Sequence, residues 1–437
     1  MRRFFPLSHP DISTLKMQLL AFADQVQQFC YLDSNNYPNY PYSTFGSLYA
    51  IDAIDSLSVH HDCLAQFEAF QQKNKDWLFG YLSYDLKNEI ESNLHSLHFD
   101  GIQHPLLHFF VPKYLVKIEK NKIEVGVYGN NDIEIKHNLA HFYNILETPK
   151  SSYNFQITNY KLPQIQQRFS KLDYLETIDK IKAHIVRGDM YEMNLCQEFY
   201  AENTTIHPIA TFNKLNTLSK APFTSYFKNQ ENYLLCASPE RFLKRQKNKL
   251  ISQPIKGTRK RGSTEAEDKQ IKQDLFFNEK ERSENVMIVD LVRNDFSRIA
   301  LDNTVDVEEL FGIYSFEQVH QLISTITCRI APQATFSDII RATFPMGSMT
   351  GAPKISALHI IESLEKTKRG LFSGCVGYIT PNGNFDFNVV IRSILYNSAK
   401  KYLSIQAGSA ITIDCNAEQE YEECLLKAQA MFKPLNA

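Results

Sequence analysis

The sequence predicts an α+β protein with large antiparallel or mixed β-sheets and helices on the outside. The chain has 437 residues, which is long enough for a large core. Hydrophobic residues make up 43% and charged residues 22%, a balance typical of globular proteins. Hairpins are more frequent among the predicted strands than strand-helix-strand crossovers, which favours antiparallel pairing.

The first 150 residues are expected to contribute short strands and irregular connections around a few helices. Tyr, Asn and turn-forming residues are frequent there, as in SNNYPNYPYSTFG. The segment WLFGYLSYDLKNEI, residues 77–90, contains an apolar strand, and residues 108–129 predict a pair of strands. A polar connection follows over about residues 148–162.

The pattern becomes sharper from Leu172 onward. Residues 173–189, DYLETIDKIKAHIVRGD, predict a helix that ends at Gly188, and MYEMNLCQEFYAE predicts a strand. Later segments predict strands over 232–238 and 247–253, one long helix over 272–295, a hairpin about Asn382 and Gly383, and a last helix over 417–432.

Composition argues against several classes of protein. The net charge is −2, and the one dense basic run, KGTRKRG, is too short for a nucleic-acid footprint. No apolar run approaches the roughly 20 residues of a membrane span. The eight cysteines form no CxxC pair, so we expect reduced, mostly buried thiols in a cytoplasmic protein rather than a zinc site.

Two pairs of glutamates are candidate metal ligands. Glu281 and Glu284 are three residues apart in the predicted long helix, and Glu420 and Glu423 repeat that spacing in the last helix, with Lys427 four residues further on. Carboxylates from two helices could share a Mg²⁺ ion, which prefers oxygen ligands. The alternative is that each pair lies on a solvated helix face.

Three glycine-containing loops could bind an anion through backbone N–H groups. They are FPMGSMTGAPK over 344–354, QAGSAI over 406–411 and the GTR of SQPIKGTRKRG over 252–262. Their spacings do not match a nucleotide-binding motif, so a small carboxylated substrate fits better. Each loop could also be an ordinary turn. Lys256, directly before one of these glycines, could likewise extend its ammonium to solvent.

Taken together, the motifs identify a family. GDMYEMNLCQEF, SPERF, PIKGTRKRG, EKERSENVMIVDLVRND, VHQLIST, GSMTGAPK, VVIRS, QAGSAI and EQEYEECLLKA occur in this order. Together they resemble the chorismate-utilising enzymes, densely over residues 165–432 and more weakly at GYLSYD. The resemblance implies a chorismate-binding catalytic domain over 165–432. It also implies two large, mostly antiparallel sheets packed as a sandwich, with helices outside and strands added by residues 1–150.

The resemblance also implies the residues of the site. Mg²⁺ would be anchored through Glu284 and Glu423 and hold a carboxylate of chorismate, with Glu281 and Glu420 nearby. Arg392 and Lys427 would bind the carboxylates of the substrate, and His320 would lie near the reacting ring. The residues of the implied backbone cradle are Gly257, Thr258, Gly408, Ser409 and Ala410. Thr258 is also a catalytic candidate.

Lys256 indicates which reaction the resemblance implies. PIKGT resembles aminodeoxychorismate synthase component I, whereas anthranilate synthases have PIAGT. Amination at C4 of chorismate needs the C4 hydroxyl to leave, and a lysine amine that adds at C2 can expel it. The amine must be neutral, so we expect its pKa to be lowered by burial or by cations such as Arg259 and Mg²⁺. Glu240 in SPERF matches the general acid for the departing hydroxyl.

Three positions depart from the family pattern. Glu192 stands where anthranilate synthases and many aminodeoxychorismate synthases have Gln, and where isochorismate and salicylate synthases have a water-activating Lys. Without that Lys, water addition is disfavoured. Phe372 replaces a frequent Tyr, and Ala410 replaces a frequent Gly.

The ammonia must have a source. The chain has no G-x-C-x-G setting of a glutaminase nucleophile, so the implied partner is a separate glutamine amidotransferase subunit. The implied product, 4-amino-4-deoxychorismate, would need a further lyase to give 4-aminobenzoate for folate. Two alternatives stay open: anthranilate synthase component I, and an inactive protein that binds chorismate or a partner.

Overall fold

The computed structural model describes residues 1–37, 40–43, 45–120, 122–147 and 162–435. These residues form twenty strands and eleven α-helices. The strands are β1 (Arg2–Pro6), β2 (Gln28–Asp33), β3 (Ser47–Val59), β4 (Leu78–Leu82), β5 (Leu107–Glu119), β6 (Lys122–Tyr128), β7 (Gln166–Gln167), β8 (Glu192–Ala201), β9 (Phe223–Asn229), β10 (Asn232–Ser238), β11 (Arg241–Gln246), β12 (Lys249–Gln253), β13 (Ile255–Lys260), β14 (Asp306–Ser315), β15 (Val319–Arg329), β16 (Gly351–Ala352), β17 (Cys375–Ile379), β18 (Phe385–Asn388), β19 (Ser393–Asn397) and β20 (Tyr402–Ile411). The helices are α1 (Ile12–Ala21), α2 (Cys63–Lys73), α3 (Lys87–Ile90), α4 (Asp132–Glu147), α5 (Lys171–Arg187), α6 (Pro208–Leu218), α7 (Glu265–Phe277), α8 (Glu279–Ser297), α9 (Phe336–Thr343), α10 (Lys354–Leu364) and α11 (Ala417–Phe432).

The strands pair in antiparallel fashion and fall into two runs that share β3 and β5. The first run is β1-β6-β5-β3-β2-β9-β10-β19-β20-β8. The second is β3-β5-β4-β17-β18-β11-β12-β15, with β13 and β14 also on β15. Strand β5 connects them, because residues 107–110 pair with β4 and residues 114–119 pair with β6.

The buried side chains show that the two runs pack face to face. In β2, Cys30 and Leu32 belong to a core shared with β4 and β17 of the second run. The alternate residues Phe29 and Tyr31 point to the other face, into a core that the first run forms with α1, α4, α5 and α11. Helices α2, α8 and α9 cover the outside of the second run. The predicted α+β fold, with two sheets and outer helices, is confirmed.

Local sequence signals explain several helix ends. Helix α5 begins at a capping box of Ser170 and Asp173 and ends at Gly188, whose φ of 88° suits glycine. The prediction of a single long helix over 272–295 is wrong, because α7 and α8 are separated at Asn278. Asn278 has an extended backbone, and its side chain accepts a hydrogen bond from the N–H of Glu281. It therefore caps a new helix.

Strands from the first 150 residues pair with strands from the rest of the chain. Residues 28–33 of β2 pair with β9, and all of β4 pairs with β17. Most of the expected polar connection, residues 148–161, lies outside the described residues. All eight cysteines are buried and free of disulfides. Among the helices that the structure describes, none is long and apolar enough to cross a membrane.

Candidate active site

A cavity of about 630 Å³ lies where β13, β20, α8 and α11 meet. Twelve of the fourteen residues predicted for the site line this cavity. They are Glu240, Lys256, Gly257, Thr258, Glu281, Glu284, Arg392, Gly408, Ala410, Glu420, Glu423 and Lys427. Residues far apart in the sequence, from both sheets and two helices, are thus brought to one place.

A glycine in β13 shapes the wall that carries Lys256. Gly257 has a φ of 95°, which side-chain-bearing residues rarely adopt. A Cβ at this position would lie 3.2 Å from Oε2 of Glu281 and 3.1 Å from Leu275. The pairing of β13 with β15 shifts register between Ile255 and Thr258. Glycine therefore allows the strand to bulge closely past the glutamate-bearing helix.

Lys256 forms an ion pair with Glu192 beneath the cavity wall. The Lys256 Nζ lies 2.5 Å from Oε1 of Glu192, and the Glu192 side chain is fully buried. Strand β16 covers this part of β8, with Ala352 opposite Glu192. A Cβ on Gly351 would lie 2.1 Å from the Glu192 carbonyl oxygen. The GSMTGAPK segment thus packs against the strand that carries Glu192.

The pKa of Lys256 differs from the sequence-based expectation. Burial lowers it, but the carboxylates of Glu192 and Glu284 outweigh burial, so the pKa is raised above its usual value. The expected lowering is therefore wrong. Arg259 does not offset these carboxylates, because its Nη1 lies 2.8 Å from Oε1 of Glu281 and is paired there.

Glu240 lies in the turn between β10 and β11, on the cavity wall. Its side chain is buried, and burial raises its pKa to about 7 even though the Ser348 hydroxyl and the charge of Lys256 act to lower it. The neighbouring Arg241 pairs with Asp386 at 2.9 Å and not with Glu240. A carboxyl group with this pKa can hold a proton near neutral pH and give it to a leaving group.

The four predicted metal-binding glutamates lie on α8 and α11. Burial raises the pKa of Glu284 to about 7, and the charges of Glu192 and Glu281 contribute. The Nζ of Lys280 lies 3.8 Å from Glu284 and 3.4 Å from Glu420.

Lys427 lies 2.8 Å from Oε1 of Glu423. This pairing and other nearby cations lower the pKa of Glu423, although its burial opposes the shift. Lys427 also donates a hydrogen bond to the Gly408 carbonyl oxygen, at 2.9 Å.

The donor set suits Mg²⁺. Mg²⁺ prefers oxygen ligands, which the two helices supply. A cation would also favour the charged form of Glu284, whose pKa is raised mainly by burial and further by the neighbouring carboxylates. Within the described ranges, no group of three or more His, Cys, Asp or Glu side chains is arranged to hold a metal by itself. Glu284 and Glu423 could therefore hold Mg²⁺ together with water and a substrate carboxylate.

Arg392 provides a cation without a protein partner. It lies between β18 and β19 and lines the cavity. Its guanidinium has no hydrogen-bond or ion-pair partner among the residues that the structure describes, and burial lowers its pKa. Its φ of 50° is unusual for a residue with a side chain. This arrangement suits a carboxylate ligand, which a guanidinium can bind through two hydrogen bonds.

Two predicted site residues do not line the cavity. Ser409 lies on the opposite face of β20 from Gly408 and Ala410 and is buried. His320 lies in β15 opposite Arg259 of β13 and is fully buried. Its Nε2 lies 2.8 Å from Asp268 and its Nδ1 lies 2.9 Å from the Ser315 hydroxyl.

Sequence reasoning missed Lys280 and the contact between Lys256 and Glu192. The i,i+4 spacing of Lys280 and Glu284 was a usable signal for the first. No local signal pointed to the second, because 64 residues separate its two partners. Phe372, noted as a departure from the family pattern, lines the cavity as well.

The chain belongs to the family of chorismate binding enzymes, whose family model matches residues 27–433.

Individual relatives carry more than one name. The chain is 38% identical over 270 residues to "Aminodeoxychorismate synthase component 1" of Salmonella typhimurium, a match of 62% of this chain and 59% of that relative. It is 34% identical over 356 residues to "Anthranilate synthase component 1" of Thermus thermophilus, covering 81% of this chain and 76% of that one.

A solved structure has the same fold. Anthranilate synthase component I from Streptococcus pneumoniae superposes with a TM-score of 0.80 at 24% sequence identity, over 91% of this chain and 96% of the other.

Proposed function

We propose that this chain is the synthase component of an aminodeoxychorismate synthase, which converts chorismate and ammonia to 4-amino-4-deoxychorismate. The observation that carries the proposal is the placement of Lys256 and Glu240 on the wall of one cavity. A nucleophile and a proton donor are the two groups that replacement of the C4 hydroxyl requires.

Charged groups that line the cavity would bind the two carboxylates of chorismate. Arg392, whose guanidinium has no partner among the described residues, would bind one carboxylate. Glu284 and Glu423 would hold a Mg²⁺ ion, which would neutralise and orient a carboxylate of the substrate when bound. Gly257, Gly408 and Ala410 also line the cavity, and their small size would let the ring approach Lys256.

In the first step, the neutral amine of Lys256 adds to C2 of the ring. The C1=C2 electron pair moves to C1=C6, the C5=C6 pair moves to C4=C5, and the C4–O bond breaks. Glu240 donates its proton to the departing hydroxyl, which leaves as water. The buried position and raised pKa of Glu240 support its role as the acid.

In the second step, ammonia adds at C4 and the electron pairs return along the same path. The bond between C2 and Lys256 breaks, and the lysine amine is released. The covalent intermediate thus divides one difficult substitution into two easier steps.

The ammonia would come from a glutamine amidotransferase subunit. The Salmonella relative is named as component 1 of its enzyme, which supports a partner component. A further enzyme, a lyase, would convert the product to 4-aminobenzoate for folate synthesis.

Anthranilate synthase component I is the second candidate, favoured by the similarity to the Thermus protein. That reaction requires ammonia itself to reach C2, which is the carbon that Lys256 would attack in our proposal. A chain that binds chorismate without turnover is a third outcome.

One assay separates these outcomes. The protein is incubated with chorismate, Mg²⁺ and an ammonium salt, and the products are identified by chromatography and mass spectrometry. We expect 4-amino-4-deoxychorismate. Formation of anthranilate supports the second candidate, and the absence of turnover contradicts both.

A further inference from the structure

Glu192 makes the closest charged contact of Lys256. Their Nζ and Oε1 atoms are 2.5 Å apart, and the carboxylate is fully buried in β8. The other carboxylate oxygen, Oε2, has no hydrogen-bond partner among the described residues. A buried carboxylate oxygen without a partner is unusual, because most buried polar atoms are hydrogen-bonded.

The lysine needs an acceptor at this position. A protonated ammonium has no lone pair with which to attack carbon. Glu240, Glu284 and Glu423 also act on Lys256 through their charge. Among the described residues, however, only Glu192 lies within ion-pair distance of its Nζ. Direct transfer along a contact of 2.5 Å avoids the release of a proton to solvent.

We propose that Glu192 is a positioning residue that takes the proton of Lys256 when the amine attacks and returns it when the amine leaves. The inference rests on the proposed function. The Nζ–H bond breaks, an Oε1–H bond forms, and the electron pair left on Nζ forms the bond to C2. When that bond breaks in the second step, Nζ recovers its electron pair and takes the proton back from Oε1.

A glutamine at this position could accept a hydrogen bond from the ammonium but could not take its proton. Glu192→Gln therefore tests the inference with little change in shape. In this variant the lysine must lose its proton to solvent, so its neutral fraction grows with pH. In the natural chain the transfer occurs inside the pair and is independent of pH.

The experiment measures the rate of covalent adduct formation without ammonia, by rapid mixing with chorismate and Mg²⁺ and intact-mass analysis. We expect the ratio of the natural rate to the E192Q rate to fall about tenfold per pH unit between about pH 6 and pH 8. Titration of Glu240 and other shared groups cancels in this ratio. A ratio that stays constant with pH would mean a structural role and overturn the inference.

Glu198→Gln is the matched control. Glu198 is also buried in β8 and pairs with Arg168 at 2.9 Å, away from the cavity wall. Any loss of rate in E198Q should be the same at each pH. A pH-dependent ratio in this control would show that loss of any buried pair of β8 produces the effect, and would also overturn the inference.

A second test uses the natural chain alone, so it does not depend on whether a variant folds. With Glu192 as the acceptor, the rate of adduct formation is level below about pH 7 and falls about tenfold per unit above it, as Glu240 loses its proton. With solvent as the acceptor, the rate of adduct formation increases with pH up to about pH 7 and is level above that pH. Product formation with the second profile overturns only this inference, whereas the absence of adduct and product overturns the proposed function.

Discussion

The ammonium of Lys280, on α8, lies 3.4 Å from the carboxylate of Glu420, on α11. A single lysine therefore links the two helices that carry the four glutamates of the cavity. Its Nζ is also 3.8 Å from Glu284, so it neutralises part of the charge that a Mg²⁺ ion would neutralise.

Lys280→Met should increase the stabilisation of the folded protein by Mg²⁺. Removal of the ammonium leaves the glutamates less compensated, so a cation that binds the folded state should stabilise it more. We expect Mg²⁺ to raise the Tm of the variant by several degrees more than that of the natural chain. Thermal unfolding with and without Mg²⁺ measures the difference, and equal shifts would contradict the prediction.

Lys256→Ala and Lys256→Arg should both lose C4 amination. Arginine keeps a cation beside Glu192 but cannot become a neutral nucleophile, whereas alanine leaves the buried carboxylate unpaired. We expect at least about a 100-fold fall in product formation for both and a larger loss of stability for alanine. Product analysis and urea unfolding measure these effects. Full amination by Lys256→Arg would show that the lysine is not the nucleophile.

Glu240→Gln should change how stability depends on pH. The pKa of Glu240 is about 7 in the folded chain, above its usual value of 4.5, so the folded state binds this proton more tightly. Stability from this group is complete below about pH 4.5 and is lost as pH rises towards 7. The variant should gain on the order of 2 kcal/mol relative to the natural chain between about pH 5 and pH 7.5.

Urea unfolding at both pH values tests this prediction. The exposed Glu279, in the first turn of α8, is the control. Glu279→Gln should differ from the natural chain by the same amount at each pH. A similar result for Glu240→Gln would mean that its carboxyl group does not titrate in this range.

Arg392→Ala and Arg392→Gly should weaken chorismate binding equally but differ in stability. Loss of a charge-assisted hydrogen bond of about 1.5–3 kcal/mol corresponds to a rise in KM of roughly 10- to 100-fold. Because φ is 50° at this position, glycine should be more stable than alanine by about 1 kcal/mol. Steady-state kinetics and urea unfolding measure the two effects. An unchanged KM would remove Arg392 from the substrate site.

Local patterns were enough to predict several elements of the fold. The helix end at Gly188 and the hairpin at Asn382 and Gly383 follow from turn chemistry that acts over a few residues. The break at Asn278 was not predicted, because the apolar periodicity continues across it and Asn is recognised as a cap only when the backbone there is known.

Most of the predicted residues line one cavity, but the electrostatics of that cavity were not predicted. Ordered motifs indicated the glutamates of α8 and α11, and these residues do line one cavity. The direction of the Lys256 pKa shift depends on which charges surround it, and Glu192 reaches it only through the pairing of distant strands. His320 lies in a motif near the cavity, but its ring is buried against Asp268.

Strands β3 and β5 belong to both sheets, so hydrogen bonds fix the angle between the sheets. Lys256 lies in β13 of one sheet and Gly408 in β20 of the other. The span between Lys256 and the backbone of Gly408 is thus set by a continuous series of main-chain hydrogen bonds from strand to strand, and not by side-chain packing alone.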